Sequence, residues 1–280
     1  MNPLTVRMTL PFLLVAAFFV LATAGCTATR SLIAACRSTD SFLPLEADGR
    51  IFYEPGAEAN AALLAPLLPE AVAKVEAAHG LPFHDPAAVH VCASAESCYR
   101  FTGSRAPAIV TGKLFLSPLL FSAGRPVDRY LVHELSHLHL QQRLGTLQCI
   151  RLPVWFKEGL AEVVSGGATS SRMADRQAYE AIAAGRCFTP DAGGNVFTAL
   201  LFPRYGSYWG ISQPLFYRQC LLFVDFLQGS DETSFRALMT AIQQDESFSA
   251  AWSMAYRQSL PTMWQQFVQQ AKKKAARHAG

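Results

Sequence analysis

His133-Glu134-Leu135-Ser136-His137 decides how this chain is read. It falls in a helical pattern from Asp128 to about Arg143, with Gly145 as the expected stop. At 3.6 residues per turn, positions four apart share a face, so two imidazoles converge on one ion. Glu134 follows the first of them and points toward the same opening, where a carboxylate can hold and deprotonate a water. Leu131, Leu135 and Leu138 form a separate apolar stripe on which the helix can pack. With 7 histidines in 280 residues, the three fixed positions arise by chance roughly 0.007 times. The competing reading is a pair of half-exposed helix histidines beside a surface glutamate.

A second helix is predicted from Pro153 through Val154-Trp155-Phe156-Lys157-Glu158-Gly159-Leu160-Ala161-Glu162, halted by Gly166-Gly167. Taken together, HELSH and PVWFKEGLAE resemble the gluzincin metallopeptidases, in particular the peptidase-MA-like group related to thermolysin and the zinc aminopeptidases. The resemblance implies that Glu158 is the third ligand of one Zn2+ ion, beside His133 and His137, with the fourth position left for water. Glu162, four residues on, matches the place of an acid in thermolysin and would orient a ligand histidine; the alternative is a solvated glutamate. Gly159 would let this helix pass close to the first.

Similarity of a weaker kind extends over about 85 to 270. Residues 216–227, FYRQCLLFVDFL, and 247–267 are similar to later helices of the family. By that likeness Tyr217 is a catalytic candidate, its hydroxyl aimed at the oxyanion; simple packing of the ring is the alternative. Lys113 to Pro118 would be the edge strand that related peptidases offer to a substrate backbone, or else an ordinary core strand.

The fold expected is α+β: a zincin-like single catalytic domain, with an N-terminal α/β lobe around a small mixed sheet and a mostly helical C-terminal lobe. Strands are read at 50–55, 88–94 and 108–118, the last a pair bent at Thr111-Gly112, and helices at 57–79 and through 98–101. After Pro126 the pattern is helical, except for the Gly-, Pro- and aromatic-rich segment 185–213. The catalytic domain spans 49–275, preceded by a tether, 26–48.

Residues 1–25 read as a signal peptide, since Met8 to Gly25 carries no charge and ends in small residues. Ala24-Gly25-Cys26 resembles a lipobox with Cys26 as the lipidated residue, whereas Ala22-Thr23-Ala24 fits ordinary cleavage; an uncleaved inner-membrane anchor is a third option. Of seven cysteines, lipidation of Cys26 leaves an even number, suited to disulfide bonds in a periplasm. Candidate pairs are Cys92 with Cys98, Cys149 with Cys187 and Cys36 with Cys220, unless Cys220 is a buried thiol.

A net charge of +3 without a long basic run excludes the electrostatic footprint of a nucleic-acid binder. The chain also lacks G-x-S-x-G and a Walker phosphate loop. The expectation is therefore a zinc peptidase of the bacterial envelope, acting on a peptide or protein substrate and held by an N-terminal lipid to the membrane, the outer one being the expected site. The other class is a non-catalytic lipoprotein using the same fold to bind or assemble.

Overall fold

The computed structural model describes residues 37–122 and 124–277. The signal segment, Cys26 and Cys36 lie outside the described residues. Five strands, β1 (Leu43–Leu45), β2 (Asp48–Tyr53), β3 (Val89–Val91), β4 (Ala108–Val110) and β5 (Leu114–Leu116), form one mixed sheet in the order β1-β2-β3-β5-β4. β2, β3 and β5 run parallel, and β1 and β4 close the two edges antiparallel.

Strand periodicity divides the sheet into two faces. Ile51, Val89, Val91, Leu114 and Leu116 join the main core, while Phe115 and Cys92 pack with Phe42 and Cys98 in a small cluster behind it. The helix pair α1 (Glu58–Leu64) and α2 (Leu68–His79) crosses from β2 to β3, and α3 (Ala95–Thr102) carries Cys98 to the rear cluster. After the short α4 (Pro118–Phe121) the chain is helical: α5 (Val127–Arg151), α6 (Val154–Ser165), α7 (Asp175–Ala183), α8 (Val196–Leu201), α9 (Gln213–Ser230), α10 (Glu232–Gln243), α11 (Phe248–Ala255) and α12 (Leu260–Arg277). The architecture is thus α+β, with an N-terminal α/β region and a helical C-terminal region. None of the described helices is long and apolar enough to cross a membrane.

Several expectations change. The helix read over 57–79 is two, because Pro66 and Pro69 interrupt the backbone ladder and Pro69 instead sits in the first turn of α2. Part of the expected tether is β1, which pairs with β2. Of the two readings of Lys113 to Pro118 the core strand holds: Leu114–Leu116 lies between β3 and β4 with all three residues buried, and the edge beside it is Ala108–Val110. Gly145 does leave helical geometry (φ 70°, ψ 167°), but the helix resumes and continues to Arg151.

Among the described residues no disulfide is formed: Cys92, Cys98, Cys149, Cys187 and Cys220 are free thiols, and Cys36, the expected partner of Cys220, lies outside them. Cys92 and Cys98 pack together in the rear cluster. Cys149 and Cys187 are half-buried and unbridged. Cys220 is a fully buried thiol of α9, pressed against α6.

Candidate metal centre

The metal-facing side of α5 is set by what its other sides bury. Leu131 and Leu135 are fully buried and Leu138 nearly so, which locks the helix onto the core. Its rear is tied to α2 by a buried polar chain. His139 Nε2 lies 2.9 Å from the Leu81 carbonyl, His79 Nδ1 lies 3.0 Å from His139 Nδ1, and His79 Nε2 lies 3.0 Å from Ser136 Oγ. A carbonyl only accepts, so His139 donates from Nε2, accepts at Nδ1 from His79, and His79 accepts in turn from the Ser136 hydroxyl. Both imidazoles are neutral in this chain, and burial, the largest influence on each, favours that state. Neither takes part in the metal group.

On the opposite side, His133 Nε2 and His137 Nε2 are 3.2 Å apart, and Glu158 Oε2 of α6 lies 3.5 Å from the first and 3.4 Å from the second. These three atoms make a group able to hold a metal ion. The sequence-predicted ligands are therefore brought together. His133 and Glu158 are buried, while the His137 side chain keeps 20% of its surface open to the cleft. Two imidazole lone pairs and a carboxylate oxygen crowded at this separation repel one another unless a cation or proton lies among them.

The charges show the same demand. Burial opposes charge on His133, but Glu158, Glu162 and Glu134 outweigh it and raise its pKa to about 10 without metal. Burial would raise the Glu158 pKa, yet His137 and His133 hold it well below the usual carboxylate range. Glu134 is raised, first by burial and also by Glu158, against the opposing pull of the two histidines. A base of elevated pKa holds an abstracted proton better than an ordinary carboxylate.

Glu162 is completely buried and supports the first ligand. Its Oε1 lies 3.0 Å from His133 Nδ1, off the ideal line of the ring N–H, so the contact is a short charge pairing more than an aligned hydrogen bond. The carboxylate also accepts from the Thr169 N–H (3.0 Å), the Thr169 hydroxyl (2.8 Å), the Ser170 N–H (3.1 Å) and the Ser170 hydroxyl. Burial acts to raise its pKa, but His133 and these donors prevail and leave it at about 2. The solvated-glutamate alternative is excluded.

Gly159 has a different neighbour from the one expected. A Cβ there would stand 2.6 Å from the Cys220 carbonyl oxygen and 2.6 Å from Val224 Cγ2, so the glycine lets α6 pass against α9, not α5. That packing carries Tyr217 to the cleft, where its ring meets His133 edge-on at 6.3 Å. Burial first, then Glu158, raises its pKa and keeps the phenol protonated.

The cleft encloses about 830 Å³ and is lined by His133, Glu134, His137 and Glu158, by the β4 edge at Ala108–Val110, and by Tyr205 and Tyr217. Tyr205 was not singled out in the sequence. It lies in the irregular segment 185–213, where no periodicity marks it, and the nearby Glu158 carboxylate is the main cause of its raised pKa. Compared with protein-family models and with curated proteins, the chain matches none.

Proposed function

We propose that the protein is a zinc-dependent peptidase of the gluzincin type, with His133, His137 and Glu158 as ligands. The observation that carries this reading is the spacing of the three ligand atoms, 3.2, 3.4 and 3.5 Å. A tetrahedral ion with bonds of about 2.0–2.1 Å to nitrogen and oxygen has ligand-to-ligand edges of about 3.3–3.4 Å, so the donor set fits zinc in size and in chemistry. Three protein ligands leave one position open, as catalytic sites do.

The ion, when bound, would polarise a scissile carbonyl and acidify the attacking water. Glu134 takes the proton from that water and passes it to the departing amine nitrogen. Glu162 holds His133 with Nε2 toward the ion. Tyr217, whose ring lines the cleft beside His133, would donate its hydroxyl to the developing oxyanion. The β4 edge, with the cleft alongside it, can pair with the backbone of an extended peptide. An envelope location through a lipid on Cys26 belongs to the same proposal and rests on residues 8–26.

The test is a degenerate peptide library incubated with the zinc-loaded chain and read by mass spectrometry. Cleavage that a chelator stops and zinc restores is the expected result. No cleavage by protein containing stoichiometric zinc would leave the binding-module reading in its place.

A further inference from the structure

One cation stands in the cleft outside the metal group. Lys157 precedes the third ligand on α6, is half-buried, and is the one lysine or arginine among the described residues that line the cleft. Its Nζ donates to the Cys149 carbonyl at 2.9 Å, near the C-terminal end of α5. An ammonium has three donors, and this is one. Among the described residues Lys157 forms no ion pair, whereas His133 and His137 both face Glu158.

An ammonium without a counter-ion on the wall of a cleft, carried by a half-buried side chain, can take a ligand carboxylate in place of water. The Cys149 carbonyl bond restrains the side chain, lowering the entropy lost when an anion arrives. With zinc bound, His133 is a neutral ligand and the carboxylates of Glu134, Glu158 and Glu162 surround the ion. Lys157 is the cation on the cleft wall that stands apart from these carboxylates and can receive an anion.

We infer that Lys157 is a specificity residue and that the substrates are peptides presenting a carboxylate to this wall, from an acidic side chain or a free C-terminus. The inference rests on the peptidase reading and names its substrate class. A neutral peptide offers the two spare ammonium donors only carbonyls or water, so discrimination follows from the charge-assisted pair that it does not form.

The experiment is a peptide library made twice, with free and with amidated C-termini, and cleaved by zinc-loaded wild-type chain and by the Lys157→Arg, Lys157→Gln and Lys157→Glu variants. Wild type should favour carboxylate-bearing peptides by about tenfold, the size of one charge-assisted hydrogen bond. Arginine should retain the preference, glutamine should remove it through KM, and glutamate should reverse it toward basic peptides. Loss of preference on amidation assigns the carboxylate to the C-terminus; its persistence assigns it to a side chain. Calorimetry of product peptides on the Glu134→Gln chain, with and without Lys157→Gln, reads the same contrast without turnover. Zinc-dependent cleavage with no acidic preference, or a preference unchanged in Lys157→Glu, overturns the inference alone. A lowered melting temperature with unchanged specificity reduces Lys157 to a tie on the end of α5 and also overturns it. Absence of any cleavage by the zinc-loaded wild type overturns the peptidase reading beneath it.

Discussion

His133 gives its two ring nitrogens to different carboxylates: Nδ1 lies 3.0 Å from Glu162 and Nε2 lies 3.5 Å from Glu158. Glu162 is in turn fastened by Thr169 and Ser170, so the ring orientation is built into the turn after α6 before any ion arrives. Support of this kind is worth about 10- to 100-fold in metal affinity. Glu162→Gln should weaken zinc binding by that amount in a chelator competition while leaving the ligands in place. An unchanged affinity would show that Glu162 serves packing alone.

Glu134 tests separately from the metal. Glu134→Gln keeps the shape of the side chain and all three ligands but cannot take a proton, so zinc content should persist while peptide hydrolysis falls by about 10² to 10⁴. Undiminished turnover would require another base.

The α6–α9 contact is tight enough to be felt through one methyl group. Gly159→Ala places a carbon against the Cys220 backbone oxygen, which cannot rotate away, and against Val224. Over-packing of this sort costs about 1–3 kcal/mol. Urea unfolding should show that loss, and a change below about 0.5 kcal/mol would mean the helices separate freely.

The two metal segments were legible because helical spacing and the residues at Pro153 and Gly166 are local signals, whereas Gly145 marks a kink and not the expected stop. Relations between distant segments were not. Gly159 announced a close approach, but its sequence does not say to which helix. LFL reads equally well as edge or core, since strand order depends on how the sheet assembles; β5 enters parallel to β3 and leaves β4 outside. Cys92 and Cys98 are neighbours, as their spacing predicts, yet they meet as thiols in an apolar cluster. Tyr205 reaches the cleft from a stretch without regular structure, so only its contact with the Glu158 environment reveals it.

His90 gives the stability a pH dependence unrelated to the metal. It is 5% exposed, stacked on Phe52 at 5.2 Å, and its Nδ1 has no hydrogen-bond partner among the described residues. Burial, aided by Lys113, depresses its pKa from 6.5 to about 4. The folded state therefore holds it neutral where the unfolded chain takes up a proton. Its contribution is complete above about pH 6.5 and is lost as pH falls toward 4, by roughly 2–3 kcal/mol. His90→Phe should flatten the stability curve of the chain over that window, and an unaltered slope would place the acid sensitivity elsewhere.

Elemental analysis of the purified chain tests the central claim most directly. The wild type should contain one zinc per chain, and His137→Ala and Glu158→Ala, each lacking one of three protein ligands, should lose it. Stoichiometric zinc retained by both variants would contradict the assigned site.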